Sequence, residues 1–298
     1  MSQKDRSLDR PPEYLSVKLS RGRLPQPLVT AVCRALNRLV GFSRFNATYA
    51  PVIANGIPDN LAERFLDQID ASIEIDEGAA ARIPRAGPLV VIANHPFGFI
   101  EGLILNCIIH PVRQDFKFLT AYKLSQVPGL GQFLLSVDPL KQKRKRRMNQ
   151  TAWHNVFKWV REGGVFIVFP AGRVARFSFR PWGITDLPWS RHVGALVRRT
   201  GAPVLPVYFP GANGILFQLA GLIHGNLQNF LLIRQFNKMH GRQFKVLIGE
   251  LIQPGEFATM DSDQQLIQYL RKRTYALAAG VDSVSSDQMA ASGKSTIS

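Results

Sequence analysis

Three short runs of uninterrupted apolar, β-favouring residues constrain this chain most: Leu89–Ala93, Val165–Phe169 and Val204–Phe209. A strand with one wet face alternates polar and apolar residues, whereas a strand apolar at every position must be covered on both faces. Lys117–Thr120 and Phe244–Ile248 read as further strands. The stretches between them read as helices. Residues 150–162 repeat Ala152, Val156, Trp159 and Val160 before stopping at Gly163-Gly164, and Trp189–Arg199 stops at Gly201. Buried strands alternating with helices predict an α/β fold, a single domain with a largely parallel mixed sheet flanked by helices. At 298 residues and 46% hydrophobic, the chain can bury such a core.

The ends read differently. Residues 1–25 are polar and contain prolines. From Gln26 to Phe42 the pattern turns helical, with Leu28, Val29, Val32, Leu36, Leu39 and Val40 near helical spacing and Arg34 and Arg38 elsewhere on the wheel. Such a helix either lies on a membrane or packs on the core. The division expected is therefore 1–45 as a polar segment with an amphipathic, membrane-associating helix, 46–280 as the main domain, and 281–298 as a Ser-rich disordered tail. The opening MSQKDRSLDRPPEYL has no apolar core of a signal peptide. The apolar stretches near 88–110 and 212–233 are interrupted by Asn94, His95 and Glu101 and by Gln218, His224, Asn226, Gln228 and Asn229. Neither reaches about 18 clean apolar residues, so no transmembrane helix is expected. Residues 215–233 read first as core helices, with an acyl-chain groove or a membrane-facing ridge as the other readings.

Charge points to an anionic partner. Lys plus Arg number 37 against 21 acidic residues, a net charge of +16. Lys141, Lys143, Arg144, Lys145, Arg146 and Arg147 place six cations in seven positions. Such a run can be a solvated surface, a nucleic-acid patch or a headgroup contact, and beside an acidic leaflet each cation contributes about 1 kcal/mol. No zinc-finger spacing and no aromatic RNA-binding motif accompanies it, so an anionic membrane surface or an acidic carrier protein is favoured and no nucleic acid is expected. Cys33 and Cys107 are the only cysteines, and no Cys/His cluster is spaced to hold a metal.

The segment with chemistry in it is Asn94-His95-Pro96-Phe97-Gly98-Phe99-Ile100-Glu101-Gly102, which directly follows the strand Leu89–Ala93. Ligands of open α/β sheets bind beyond the carboxyl ends of strands. In a regular helix residues six apart point away from each other, so His95 and Glu101 meet only if Pro96 and Gly98 turn the chain. A carboxylate beside an imidazole fixes its tautomer and stabilises the imidazolium formed when it accepts a proton. From spacing alone, a lone surface histidine with an unrelated glutamate is the favoured reading. His110, His154, His192, His224 and His240 have no partner that the sequence identifies.

This segment resembles the catalytic motif of the glycerolipid acyltransferase superfamily, which includes 1-acyl-glycerol-3-phosphate acyltransferases, and looks closest to its hemolysin-like and ornithine-lipid branch. Three further blocks follow in family order. Lys123-Leu124 through Val127-Pro128-Gly129-Leu130-Gly131 to Val137-Asp138 resembles the second motif, Phe169-Pro170-Ala171-Gly172-Arg173 the third, and Val204-Leu205-Pro206-Val207 the fourth. The likeness runs over roughly residues 85–252. It departs at Glu101, where the family usually has Asp, at Ala171, where the phospholipid enzymes have Glu, at Arg173 in place of a small hydroxyl residue, and at Pro139 in place of Arg.

The resemblance implies an acyltransferase domain over 46–280 and an O-acyl transfer to a lyso-lipid hydroxyl, the lyso-lipid being lyso-ornithine-lipid-like or a lysophospholipid. The donor is acyl carrier protein or coenzyme A, with no cofactor or metal. His95 would be the base and Glu101 its orienting acid. Asn94, Pro96, Phe97, Gly98, Lys123, Phe169, Pro170, Gly172, Arg173 and Arg176 would contact substrate. The protein is expected to be peripheral, on the cytoplasmic face of the inner (plasma) membrane. Two other readings stand beside this one: a non-catalytic, basic membrane- or nucleic-acid-binding protein on a degenerate acyltransferase fold, and a hydrolase that releases fatty acid to water.

Overall fold

The computed structural model describes residues 14–16, 25–121, 127–137, 143–180, 182–223 and 225–292. Its strands are β1 (Ser72–Ile75), β2 (Leu89–Ala93), β3 (Phe116–Ala121), β4 (Leu134–Val137), β5 (Val165–Val168), β6 (Arg176–Phe179), β7 (Trp182–Thr185), β8 (Val204–Tyr208) and β9 (Gln243–Ile248). Seven form one sheet in the order β1-β9-β8-β2-β5-β3-β4, and β6 and β7 make a separate antiparallel hairpin. The run β8-β2-β5-β3-β4 is parallel throughout; β9 is antiparallel to β8, and β1 is parallel to β9. The sheet is mixed and largely parallel, as the apolar runs predict. The edge strand β1 and the short β4 were not legible in the sequence. β1 is largely exposed and carries Glu74, so it lacks the continuous apolar signature of the central strands.

Alternation along the central strands divides the core in two. Leu89, Val91 and Ala93 of β2, Val165 and Ile167 of β5, and Leu205 and Val207 of β8 face one layer. That layer contains α2 (Phe42–Ile53), α3 (Leu61–Gln68), α4 (Phe99–Ile109) and α8 (Gly225–Phe236). Val90, Ile92, Phe166, Val168 and Val204 face the other. There they meet α5 (Lys143–Arg161), α6 (Arg191–Thr200) and α10 (Asp263–Ser292). The centre of the first layer is aromatic: the Phe65 ring lies 5.7 Å from Phe45, 5.1 Å from Tyr49, 6.0 Å from Phe99 and 5.4 Å from Phe236.

The N-terminal boundary shifts. α1 (Gln26–Val40) is the expected amphipathic helix, but a division at residue 45 cuts α2, whose Phe45 and Tyr49 are wholly buried. The break between the helices is at Gly41, in the left-handed region at φ 92°. A Cβ there would stand 2.6 Å from the Asn237 amide, which donates to the Gly41 carbonyl at 2.8 Å. On α1, Leu28, Val32 and Leu39 stay exposed and only Asn37 and Val40 are buried, so its apolar stripe is not core. At the other end, α10 continues to Ser292, into the segment expected to be disordered. The apolar stretch 212–233 divides into α7 (Ile215–Ile223) and α8. Among the described residues no helix is long and apolar enough to cross a membrane.

Phe65→Ala should lower the unfolding free energy by about 3–5 kcal/mol, since it opens a cavity among four rings. Chemical denaturation measures this; a loss under about 1 kcal/mol would show that the ring cluster does not hold the layer together.

Candidate active site

The parallel run of strands brings the carboxyl ends of β2, β5 and β8 to one edge, and the loops after them meet there. Asn94 locks the first to the third. Its side chain donates to the Phe209 carbonyl at 2.8 Å and accepts the Phe209 N–H at 2.7 Å, extending the β2–β8 ladder by one side chain. Asn213 donates to the carbonyls of Pro96 and Phe97, at 3.1 and 2.9 Å. The chain then turns at Gly98, with φ 111° and ψ −111°. This backbone is open to glycine, and a Cβ there would come within 2.4 Å of Leu232. α4 starts at Phe99, which brings Glu101 back beneath His95 in the helix's first turn.

The result is a histidine gripped on several sides. His95 Nδ1 lies 3.5 Å from Glu101 Oε1, with Glu101 wholly buried and the His95 side chain 17% exposed. Glu101 Oε1 also accepts the Phe97 N–H at 2.6 Å. Nδ1 makes no aligned hydrogen bond among the described residues. The imidazole stacks on the Phe169 ring at 4.2 Å and 18°. The His95 carbonyl accepts the Ala175 N–H at 2.7 Å. With Nδ1 turned towards the carboxylate, Nε2 is the nitrogen left to meet a hydroxyl.

Residues 75–210 of this chain match the Acyltransferase family. That match covers just under half of the chain, and it is a similarity to the glycerolipid acyltransferase superfamily. It is similar to a lyso-glycine lipid O-acyltransferase of Phocaeicola vulgatus, 24% identical over 235 residues that cover 75% of this chain and 79% of the relative. It is also similar to a lyso-glycine lipid O-acyltransferase of Bacteroides thetaiotaomicron, 25% identical over 240 residues, 76% of this chain and 84% of the relative. Among solved structures, the 1-acyl-sn-glycerophosphate (LPA) acyltransferase PlsC of Thermotoga maritima aligns with 17% identity and a TM-score of 0.46, over 73% of this chain and 76% of its own.

In this acyltransferase the sequence-identified residues divide into two groups. His95, Glu101, Phe169 and Gly98 converge as described. Asn94, Pro96 and Phe97, expected to touch substrate, are buried and build the loop, as is Pro170, whose carbonyl accepts the Ser190 N–H at 2.9 Å. Gly172 and Arg173 are exposed and Arg176 is half-buried. Lys123 and Lys141 lie outside the described residues. Lys143, Arg144, Lys145, Arg146 and Arg147 fall on the first turns of α5, where only the backbone is described. A cleft of about 450 Å³ bounded by Arg85, Arg113, Asp115 and Gly163 lies at the amino ends of β2, β3 and β5, across the sheet's length from His95.

One residue of the site was missed. Asp186, buried after β7, accepts the His95 N–H at 3.1 Å on Oδ1 and the Trp189 indole N–H at 2.9 Å on Oδ2. Its own N–H donates to the Tyr275 hydroxyl, and its carbonyl accepts from Arg271. Burial holds the Asp186 carboxyl above the usual carboxylate range, against the opposing hydrogen bonds from Trp189 and His95. A signal was present: Asp186 is the only acidic residue between Glu162 and Glu250.

Asp186→Ala should remove the His95 N–H partner and leave it buried, costing about 1–3 kcal/mol in stability, whereas Asp186→Asn keeps an acceptor. The raised value also sets a sign. Below about pH 4 the carboxyl is protonated whether folded or not; as pH rises, the unfolded chain loses that proton first, so ionisation works against the folded state. Relative to Asp186→Asn, the wild type should therefore lose stability as pH rises from about 4 through the folded-state value. Melting temperatures of both across that range test it; parallel curves would contradict the assignment.

Proposed function

We propose that this acyltransferase moves a fatty acyl group from the thioester of acyl carrier protein or coenzyme A onto the hydroxyl of a lyso-lipid, with His95 as general base. The observation that carries the reading is the 3.5 Å approach of His95 Nδ1 to a carboxylate with no solvent exposure. His95 Nε2 takes the hydroxyl proton as the oxygen bonds to the thioester carbonyl carbon. The tetrahedral intermediate then collapses, the carbon–sulfur bond breaks, and the departing thiolate recovers the proton from the imidazolium. Glu101 sets the tautomer and balances the transient positive charge. Transfer in one displacement needs no acyl-enzyme, consistent with a sequence that contains no Gly-x-Ser-x-Gly elbow. The enzyme acts as a peripheral protein on the cytoplasmic face of the inner membrane, drawn there by the cations at 141–147 and the uncovered stripe of α1.

His95→Ala should reduce transfer by about 10²–10⁴-fold with the fold intact. Glu101→Gln should lose most activity and Glu101→Asp should keep more, because the first removes the charge and the second only shortens the arm. Steady-state thioester consumption with and without acceptor reads all three. Full turnover by His95→Ala would overturn the reading, and consumption independent of acceptor would point to hydrolysis.

For the acceptor we propose a lyso-lipid with an amino-acid headgroup in preference to lysophosphatidic acid. Both curated relatives are named for a lyso-glycine lipid. Ala171 has no polar group to meet a headgroup, while Arg173 and Arg176 have forked donors suited to a carboxylate and make no ion pair among the described residues. A competition assay over a panel of lyso-acceptors should rank lyso-aminolipids first and lose that preference in Arg173→Ala or Arg176→Ala. A wild-type preference for lysophosphatidic acid would refute the proposal.

A further inference from the structure

The reaction leaves a large part of the surface near the site unused. α7 carries no charge, and its Ile215, Leu216, Leu219, Leu222 and Ile223 recur at the spacing of one helix face. That face is uncovered: Ile215 and Ile223 keep 78% and 77% of their area exposed, and Leu216 keeps 68%. The other face, with Phe217, Ala220 and Gly221, is buried. α7 packs on α8 and on β6. In that hairpin Phe179 is 64% and Trp182 78% exposed. The two rings and Phe177 form an edge-to-face cluster, with centroids 5.1 to 5.9 Å apart. Soluble proteins rarely leave adjoining apolar surface of this size without a partner.

Charge says which partner fits. Between Glu162 and Glu250 the only acidic residue is Asp186, and it is buried, while the same span carries eight arginines and two lysines. Arg180 is exposed in the hairpin beside Trp182. Exposed aliphatic and aromatic side chains, with Arg173, Arg176 and Arg180 on or beside the hairpin, match the interface of an anionic bilayer.

Both elements are wired to the catalytic loop. Ala175, the residue before β6, donates to the His95 carbonyl. Gln218 of α7 accepts the Phe177 N–H at 2.9 Å and donates to the Asn213 carbonyl at 3.3 Å, and Asn213 in turn holds Pro96 and Phe97. We propose that the exposed face of α7 and the β6–β7 hairpin form a docking surface for anionic bilayers, which holds the His95 opening at headgroup level so that the acceptor reaches it without leaving the membrane. The delivery of acceptor rests on the lyso-lipid reading of the site; the docking surface stands without it.

The test uses the full chain with vesicles of phosphatidylglycerol and phosphatidylethanolamine, some carrying brominated acyl chains. Wild type should sediment with them and its tryptophan emission should be quenched by bromine. Trp182→Phe should still bind and lose most of that quenching. Leu219→Asp combined with Ile223→Asp should weaken partitioning at least about ten-fold, since each removes an inserted aliphatic side chain, while transfer to a micellar acceptor stays within about two-fold of wild type. Unchanged partitioning of the double variant, or undiminished quenching in Trp182→Phe, would overturn the proposal. So would a concentration-dependent dimer, abolished by the double variant, without bromine quenching, because the face would then pair with a second copy. Absence of micellar transfer by wild type refutes the acyl-transfer reading alone and leaves the vesicle result to stand or fall by itself.

Discussion

The central strands β8, β2 and β5 run parallel and are covered on both faces, and the placement of everything else follows from that. A sheet apolar on both sides has no room for polar chemistry along its length. Its carboxyl edge is different, because the chain must leave the sheet there and expose backbone groups that need partners. In this acyltransferase those groups are met by side chains. Asn94 stitches β2 to β8, Asn213 holds the turn after His95, and Asp186 takes the His95 N–H. Each bond orders the loop that carries His95.

Glu101 is the expensive element of this arrangement. A wholly buried carboxylate loses its hydration, and here it recovers one backbone N–H and the neighbouring imidazole, while Oε2 has no hydrogen-bond partner among the described residues. That cost has a use in acyl transfer. In the proposed mechanism, a proton accepted by His95 gives the carboxylate a charged neighbour in a medium that screens poorly, so the interaction is strongest at the moment the base is loaded. Stacking on Phe169 keeps the ring in register for that exchange.

Around the same edge the surface changes character. The hairpin and α7 expose apolar side chains where a solvated enzyme would have charges, and the segment that builds them carries cations almost alone. Hydrogen bonds through Ala175 and Gln218 join this surface to the loop that carries His95. On the membrane-docking proposal, this connection would set His95 close to the interface through the rigid part of the fold.

Much of this was written in the linear pattern. The continuous apolar runs Leu89–Ala93, Val165–Phe169 and Val204–Phe209 determined a buried parallel sheet, because period-two alternation and its absence are local properties. Pro96 and Gly98 allowed His95 and Glu101 to meet, and the family motifs named them. What the sequence could not decide was anything settled by distance across the chain. Asn94 is a clip because Phe209 lies beside it, 115 positions later. Asp186 belongs to the site because its loop folds back over 91 positions onto His95. The 26–42 and 215–223 stripes have the same helical period as core helices, and only the packing of their neighbours left them uncovered. Periodicity records that a face is apolar; what covers it is decided by the tertiary structure.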